Sequence, residues 1–252
     1  MTPVFLLAGA TGTGKSAVAA LLAREMGAAI LSADSMLVYS GMDIGTAKPP
    51  PAERAEFRMG GVDLVPPSEE FSSGEWLRRA VSWGASLPAS MPVVVVGGTG
   101  LYFTALLRGL DAPWSKPPPE YPVLRMDRER LRARLKARID EMFAAGLADE
   151  VAGLRAAYPK WSRTASAAIG YKEFFEPSSV PGRSVRDAIY YRTSQFAKRQ
   201  DTWFRHQSSP IWVDAADDPA ETASRVRAVW RAHGPWNVPA LSRPPSAKEA
   251  RS

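Results

Sequence analysis

Apolar and polar positions along the first hundred residues repeat in an order that predicts strands alternating with helices. The apolar runs at 4–8, 28–31 and 93–96 are short and rich in branched side chains, as is typical of strands buried in a parallel sheet. Between them, apolar residues recur at helical spacing over 14–26 and 74–87. This alternation predicts a doubly wound α/β fold with helices on both faces of the sheet, in which ligands bind at the carboxyl ends of the strands.

The pattern changes at the end of the α/β core, which is predicted to span 1–109. Residues 110–122 are rich in proline and are expected to form a stiff linker. Residues 123–233 favour helices, with one short strand at 211–213 that completes the core. The predicted helices of that region span 127–145, 147–175, 184–204 and 219–232. The tail over 234–252 is rich in proline and serine and is expected to be disordered.

Composition limits the chemistry that the chain can perform. The 32 Lys and Arg residues outnumber the 26 Asp and Glu residues, which favours a polyanionic partner. The absence of cysteine excludes disulfides and Cys-ligated zinc, and the only histidines, His206 and His233, argue against a histidine metal site. The N-terminus lacks the basic segment of a signal peptide, and no apolar run has the length of a transmembrane helix. We therefore expect a cytoplasmic protein with no membrane contact.

A short motif after the first predicted strand indicates a phosphate-binding loop. Residues 9–16 read GATGTGKS and fit the pattern GxxxxGK[ST], with a strand before them and a helix after them, as the motif requires. Backbone N–H groups of such a loop surround phosphate oxygens, while Lys15 neutralises the phosphates and the Ser16 hydroxyl can ligate Mg²⁺. The residues assigned to the phosphate site are Gly9, Ala10, Thr11, Gly12, Thr13, Gly14, Lys15 and Ser16.

A P-loop alone does not reveal which phosphate bond is broken. In nucleotide-hydrolysing P-loop enzymes an aspartate follows a buried strand, whereas here the valine run ends in Gly97, Gly98 and Thr99. Asp34 is the carboxylate that adjoins a strand end, which places it over the same crevice as the P-loop. From its position alone, Asp34 caps a turn, holds the water shell of a metal ion or takes part in the chemistry.

Five segments together resemble one enzyme family, the tRNA dimethylallyltransferases, also called tRNA isopentenyltransferases. They lie at 9–16, 34–49, 97–102, 168–173 and 197–205, and the most specific motifs within them are DIGTAKP and GGTGLY. The resemblance implies a P-loop NTPase-like fold. It also implies transfer of a dimethylallyl group from dimethylallyl diphosphate to the exocyclic N6 amine of the adenosine beside the anticodon of a tRNA. No nucleotide hydrolysis is implied.

The resemblance also implies roles for individual residues. Asp34 would be the general base that accepts a proton from the amine, Thr99 would hydrogen-bond near the reacting centre, and Arg138 would reach the diphosphate. The residues implied in tRNA contact are Asp34, Ser35, Met36, Leu37, Lys198 and Arg199. The implied partners are tRNA and dimethylallyl diphosphate, with Mg²⁺ as a cofactor held through Ser16, and we expect a monomer.

The chain departs from the family pattern at two places. The family usually has a much longer segment before its long basic helix, and that segment forms a helical domain that clasps the anticodon arm. Here the proline-rich linker replaces nearly all of it, which leaves a reduced helical appendage. The family also commonly has Thr-Arg where this chain has Thr193 and Ser194, with Arg192 one residue earlier. The basic helix over 127–145 has a density of arginine that suits RNA phosphates, and we expect it to contact RNA.

Three other functions fit parts of the sequence. An adenylate isopentenyltransferase, which prenylates a free nucleotide, needs no tRNA clasp, so the missing segment favours it. A small-molecule P-loop kinase accounts for the phosphate loop but not for DIGTAKP and GGTGLY. A non-catalytic RNA-binding protein accounts for the missing segment but not for an intact P-loop together with Asp34 and Thr99.

Overall fold

The computed structural model describes residues 2–110, 119–176 and 184–242. The strands are β1 (Val4–Gly9), β2 (Ala29–Ser32), β3 (Met59–Gly60), β4 (Val93–Gly97), β5 (Glu120–Arg125) and β6 (Ser209–Asp214). They form one parallel sheet in the order β3-β2-β4-β1-β5-β6. The helices are α1 (Lys15–Met26), α2 (Pro51–Glu56), α3 (Ser73–Ala85), α4 (Gly100–Arg108), α5 (Arg128–Ala144), α6 (Leu147–Ala157), α7 (Arg163–Ser166), α8 (Lys172–Phe175), α9 (Val185–Gln207), α10 (Pro219–His233) and α11 (Pro239–Ser242). The predicted α/β class is confirmed.

The two central strands, β1 and β4, form the middle of the core. Val4 pairs with Val93 in parallel register, and both strands are almost completely buried. Strands covered on both faces read as continuous apolar runs, which is why the sequence predicted them well. α1 packs against β4 and α10, while α3 packs against α4. The loops that follow the carboxyl ends of β1, β2 and β4 therefore meet at one edge of the sheet, where folds of this class bind ligands.

Strand β5 begins inside the segment that was predicted to be a linker. Residues 120–122 already pair with β6, so the linker prediction is wrong for them, while 111–118 lie outside the described residues. Pro122 is tolerated because β1 pairs with β5 only at Val123 and Leu124, so this end of the strand has one neighbour instead of two. Because the segment is rich in proline, the sequence analysis did not predict this strand, whose Tyr121 is fully buried.

The tail after α10 is also more ordered than its composition predicted. Trp236 and Val238 are buried, the Trp236 backbone N–H donates to the Val4 carbonyl at 2.9 Å, and its Nε1 donates to the Glu120 carbonyl at 2.6 Å. The prediction that the tail is disordered from Gly234 onward is therefore wrong for residues 234–242, and residues 243–252 lie outside the described residues. Large apolar side chains spaced among prolines are sufficient to hold this segment on the core.

The helical region after β5 follows the prediction in part. The helix expected over 127–145 is α5, and the one expected over 184–204 is α9, which extends to Gln207. The expected hairpin over 147–175 is instead α6 followed by two single-turn helices, α7 and α8. Within the described ranges, no helix combines the length and apolar character needed to cross a membrane.

Candidate active site

The phosphate-binding loop connects β1 to α1 and is covered by α5. Its Gly12 has φ 87°, and a Cβ there would lie 2.7 Å from Leu135 and 2.8 Å from Leu131, so both the backbone conformation and the packing require glycine. The loop residues that line a cavity of about 420 Å³, which we call the phosphate cavity, are Thr11, Gly12, Gly14, Lys15 and Ser16. Gly9, Ala10 and Thr13 belong to the same motif but are buried and do not line this cavity.

Two arginines of α5 face the loop across the phosphate cavity. Arg138 donates from Nη2 to Oγ1 of Thr11 at 2.9 Å and so lies beside the P-loop, while its contact with the diphosphate stays a prediction. Arg134 lies one helical turn earlier, and a Cβ added to Gly14 would lie 3.4 Å from its Nη2. With Lys15, three cations line the cavity, and the carboxylates that also line it are Asp34, Glu53 and Glu141. Arg134 was expected to contact RNA as part of one basic stripe, and its place in this cavity was not predicted.

Two cations of the phosphate cavity, Lys15 and Arg138, are partly shielded from solvent, whereas Arg134 is exposed. The pKa of the Lys15 ammonium is lowered to about 8, chiefly by burial; the charge of Asp34 opposes this shift, and the charge of Arg138 adds to it. Burial also lowers the pKa of the Arg138 guanidinium. A multiply charged anion in the cavity would offset the cost of keeping these buried groups charged, so the arrangement suits a diphosphate.

A second cavity of about 420 Å³, which we call the apolar cavity, adjoins the first. Its wall combines aliphatic and aromatic side chains with two exposed arginines: Met36, Ile139, Met142, Ile169, Ile189, Phe196, Arg163 and Arg199. Thr11, Asp34, Thr46 and Arg138 line both cavities. The Asp34 carboxylate therefore lies between the phosphate cavity, with its three cations at the P-loop, and the apolar cavity.

Asp34 is positioned by the turn that follows β2 and by the GGTG turn that follows β4. Its Oδ1 accepts the Met36 backbone N–H at 3.0 Å, while the Ser35 backbone N–H donates to Oγ1 of Thr99 at 3.0 Å. A Cβ on Gly97 would lie 2.1 Å from the Ala33 carbonyl oxygen, so only glycine lets the two turns approach this closely. Asp34 thus caps its own turn with one oxygen, and its other oxygen has no hydrogen bond among the described residues.

Gln200 connects the P-loop to the GGTG turn, a role that the sequence did not reveal. Its Oε1 accepts the Thr11 backbone N–H at 2.8 Å, and its Nε2 donates to the Gly98 carbonyl at 2.8 Å. Both bonds are long-range in sequence, and the side chain is buried. Gln200 ends the AKRQ motif, so the motif was visible, but no local pattern indicated which of its residues faces the site.

Glu150 holds the loop that carries the DIGTAKP motif. Its Oε2 accepts the backbone N–H groups of Asp43 at 3.1 Å and Ile44 at 2.7 Å, and its Oε1 accepts that of Gly45 at 3.2 Å. Thr46, the next residue, lines both cavities. Glu150 lies on α6, more than 100 positions away in the chain, and no motif around it signalled this contact.

The residues implied in tRNA contact do not all meet at one place. Asp34, Ser35, Met36 and Arg199 line the apolar cavity, whereas Leu37 lines the phosphate cavity. Lys198 is exposed and lines neither cavity. Ser16, assigned to Mg²⁺, is exposed at the phosphate cavity, and no cluster of three or more His, Asp or Glu residues suited to a metal occurs within the described ranges. The monomeric state and the cytoplasmic location stay predictions.

Comparison with known proteins adds independent findings. The family model described as IPP transferase matches residues 37–122 and 116–207, and the one described as isopentenyl transferase matches 2–59. A tRNA dimethylallyltransferase of Bdellovibrio bacteriovorus is 31% identical over 299 residues, covering 88% of this chain and 96% of the relative. One of Syntrophobacter fumaroxidans is 33% identical over 300 residues, covering 89% of this chain and 87% of the relative.

Two solved structures share the fold. The full-length tRNA isopentenylpyrophosphate transferase of Bacillus halodurans has a TM-score of 0.79 at 24% identity and covers 92% of this chain and 97% of that one. The tRNA delta(2)-isopentenylpyrophosphate transferase of Staphylococcus epidermidis also has a TM-score of 0.79, at 22% identity, with 92% of this chain and 100% of that one covered.

The comparisons also locate a difference in length. The alignment with the Bdellovibrio relative spans 299 positions, more than the 252 residues of this chain, so the relative holds residues with no counterpart here. The two IPP transferase matches meet at 116–122, at the end of the proline-rich segment. On the evidence of the family models and of these relatives, the chain belongs to the IPP transferase family, whose members here are tRNA dimethylallyltransferases.

Proposed function

We propose that this protein transfers a dimethylallyl group from dimethylallyl diphosphate to the N6 amine of the adenosine adjacent to the anticodon in tRNA. The observation that carries the proposal is the position of Asp34, which borders both the phosphate cavity and the apolar cavity. A carboxylate at that junction reaches an acceptor in one cavity while the leaving group stays in the other. The relatives at 31% and 33% identity are named tRNA dimethylallyltransferases.

The phosphate cavity supplies the stabilisation that the leaving group needs. When the allylic C–O bond breaks, its electron pair stays with the diphosphate, whose negative charge then grows. Lys15, Arg134 and Arg138 face that charge, together with the N–H groups at the amino end of α1. Because these groups are already in place before the reaction, they favour the transition state without rearranging.

The apolar cavity would hold the acceptor adenosine. Its Phe196 and aliphatic side chains suit a nucleobase, and the exposed Arg163 and Arg199 suit the phosphates beside it. The N6 lone pair forms the new N–C bond to the allylic carbon as the C–O bond breaks. The amine must then lose one proton, and Asp34 accepts it. Thr99, which holds the Ser35 N–H beside Asp34, keeps the carboxylate in position.

Mg²⁺ fits the residues at the phosphate cavity. This ion keeps several waters and is usually held by one or two protein oxygens together with substrate phosphates. Ser16 offers an exposed hydroxyl oxygen at the P-loop and would hold the ion jointly with the diphosphate. Bound there, Mg²⁺ would supply further neutralisation of the phosphate charge.

Mass spectrometry of tRNA nucleosides tests the proposal directly. Unmodified tRNA is incubated with dimethylallyl diphosphate and the protein, digested to nucleosides and analysed for N6-dimethylallyladenosine. The modified nucleoside should appear with the wild-type protein and should be strongly reduced with Asp34→Asn. Its absence with the wild-type protein at all concentrations would overturn the proposal.

Prenylation of a free adenine nucleotide is the second candidate. The observation in its favour is the length difference, because the alignment with the Bdellovibrio relative spans 299 positions against the 252 residues of this chain. The same assay with adenosine monophosphate in place of tRNA separates the two acceptors. Faster product formation on the free nucleotide would replace the tRNA reaction with the adenylate reaction.

A further inference from the structure

A buried carboxylate, that of Glu173 on α8, lies behind the apolar cavity and takes no part in the chemistry proposed above. Its side chain is 1% exposed. Its Oε2 accepts the backbone N–H of Gly170 at 2.8 Å, and its Oε1 lies 3.3 Å from Nε of Arg192 on α9. Neither this Oε1 nor this Nε forms a hydrogen bond with another described residue. The ion pair is therefore the direct polar contact that each of the two atoms has.

Stability alone does not explain why this ion pair is present. A buried ion pair loses about as much in hydration as it gains in attraction, and an apolar pair of similar volume is often as stable or more so. Burial raises the pKa of the Glu173 carboxyl, while the Gly170 N–H and the charge of Arg192 are among the groups that oppose this shift. What a buried pair provides is a fixed geometry, because a displaced partner leaves the other charge buried without compensation. The pair thus fixes how α8 packs on α9.

The two elements joined by the pair both contribute to the wall of the apolar cavity. Ile169, immediately before Gly170, lines the cavity from the segment that leads into α8. Thr193, immediately after Arg192, lines it from α9. Glu173 and Arg192 themselves do not line the cavity. Their pairing therefore acts on a ligand in the cavity only through these neighbours.

Gly170 also contacts the loop that separates the two cavities. Its φ of 97° favours glycine, and a Cβ there would lie 3.3 Å from the Gly45 carbonyl oxygen. Gly45 lines the apolar cavity, and Thr46 after it lines both cavities. By holding the Gly170 N–H, the Glu173 carboxylate fixes a backbone segment that lies directly against this loop.

The direction of Arg192 also bears on the departure from the family pattern at Thr193 and Ser194. A shift of one residue along a helix is a rotation of about 100° around its axis. Arg192 lies beside Glu173 and lines neither the phosphate cavity nor the apolar cavity. Its role in this structure is therefore the ion pair with Glu173, in place of a contact inside either cavity.

We propose that Glu173 and Arg192 are positioning residues for the acceptor. Their ion pair sets the spacing between the segment before α8 and α9, so that the N6 amine of an adenosine in the apolar cavity meets the allylic carbon within reach of Asp34. The inference rests on the proposed function, because it takes the apolar cavity to hold the acceptor. Placement matters because a shift of about 1 Å at the reacting atoms can cost about 100-fold in rate. The donor, held in the phosphate cavity, should be unaffected.

A double-mutant cycle tests the pair. The kcat/KM for tRNA at saturating dimethylallyl diphosphate is measured for Glu173→Gln, for Arg192→Met and for the double variant. Glutamine keeps the size of the side chain and an acceptor for the Gly170 N–H, but it has no charge. Each single substitution should lower kcat/KM about 10- to 100-fold. The double variant should be no worse than the weaker single variant, because two residues that act as one pair are not additive. Arg192→Lys keeps the charge and should retain most of the activity.

Asp140 and Arg186 provide a matched control. They form an ion pair at 2.8 Å that also joins α9 to a neighbouring helix, but both side chains are about half exposed and neither lines the apolar cavity. Asp140→Asn and Arg186→Met should leave kcat/KM close to the wild-type value, because exposed ion pairs contribute little. Calorimetric titration with dimethylallyl diphosphate should give the wild-type Kd for every variant. A variant that has lost its fold would lose donor binding as well.

The outcomes separate the inference from the proposed function. A non-additive loss of kcat/KM at an unchanged donor Kd supports the positioning role. Additive losses in the double variant, a donor Kd that rises as much as kcat/KM falls, or equal losses in the control pair would overturn the inference and leave the proposed function standing. A wild-type protein that forms no N6-dimethylallyladenosine would overturn the proposed function, and the inference with it.

Discussion

The Tyr171 hydroxyl donates a 2.6 Å hydrogen bond to Oε1 of Glu150, and this contact joins two segments that resemble the family. Tyr171 belongs to the AIGYKE segment, and Glu150 binds three backbone N–H groups of the DIGTAKP loop. The tyrosine ring also packs on Gly45, where a Cβ would lie 2.5 Å from it. The AIGYKE segment therefore helps Glu150 to hold the DIGTAKP loop in place. Thr46 of that loop borders both cavities.

Glu150→Gln should loosen this loop and weaken binding of both substrates. Glutamine offers one acceptor oxygen in place of two, so at least one backbone N–H is left unpaired. A hydrogen bond to a charged group contributes about 1.5–3 kcal/mol, and we expect the free energy of unfolding to fall by about this amount. Calorimetric titration with dimethylallyl diphosphate and filter binding with tRNA should both show lower affinity. Asp149→Asn, an exposed neighbour on α6, is the control and should change neither.

Local motifs allowed part of the site to be predicted. The P-loop, the Asp34 turn and the GGTG turn are each short segments whose spacing determines their own backbone, and parallel strand ends bring them together. Gln200 and Glu150 act on residues 189 and 107 positions away. Nothing local in the sequence specifies such a contact, because it depends on how α6 and α9 pack on the sheet.

The basic helix shows a different limit of sequence reasoning. Its arginines were expected to form one RNA-binding stripe, but helix periodicity places Arg134 and Arg138 at the phosphate cavity and Arg128 and Arg132 on another side of the helix, which faces α9. Which side of α5 faces the P-loop is decided by Leu131 and Leu135, which pack against Gly12. The charge density along the chain predicted a polyanionic partner. Only the packing of α5 distinguishes arginines at a diphosphate site from arginines available to a nucleic acid.

Arg134→Ala should weaken binding of the prenyl donor. A charge-assisted contact to a phosphate is worth about 1.5–3 kcal/mol, which corresponds to roughly a ten- to 150-fold rise in Kd. Isothermal titration calorimetry with dimethylallyl diphosphate measures it. Lys136→Ala removes an exposed cation of the same helix that lines neither the phosphate cavity nor the apolar cavity, and it should leave the Kd unchanged. Equal effects of the two substitutions would mean that Arg134 contributes only through net charge.

Asp34→Asn should keep both substrates bound and slow the transfer step. The amide oxygen can still accept the Met36 N–H, so the turn is preserved, but the side chain no longer accepts a proton from the amine. A positioned general base contributes about 10²–10⁴-fold to the rate. Single-turnover measurement at saturating substrate isolates this step. A rate within a few-fold of the wild-type value would leave Asp34 with its capping role alone.

The pKa of Lys15 gives the last prediction, a pH dependence of donor binding. In the protein without a bound donor, burial is the main cause that lowers this pKa to about 8, so the ammonium is charged at pH 7 and becomes neutral as the pH rises above 8. The diphosphate binds the charged form more tightly, so its binding raises the pKa of Lys15. By linkage, the Kd for dimethylallyl diphosphate should be nearly constant just below pH 8. Above pH 8 it should rise by up to about tenfold per pH unit.

Two substitutions at the same position assign this pH dependence to Lys15. Lys15→Ala should weaken donor binding by about 1.5–3 kcal/mol at pH 7 and abolish the rise between pH 8 and pH 9.5. Lys15→Arg keeps a cation that stays charged throughout that range, so its Kd should be independent of pH there. Ionisation of the terminal phosphate does not contribute to the change in Kd between pH 8 and pH 9.5, because its last pKa is about 6. Calorimetric titrations at half-unit steps of pH provide all three curves. A wild-type curve that stays flat up to pH 9.5 would show that Lys15 is not the group that loses its proton.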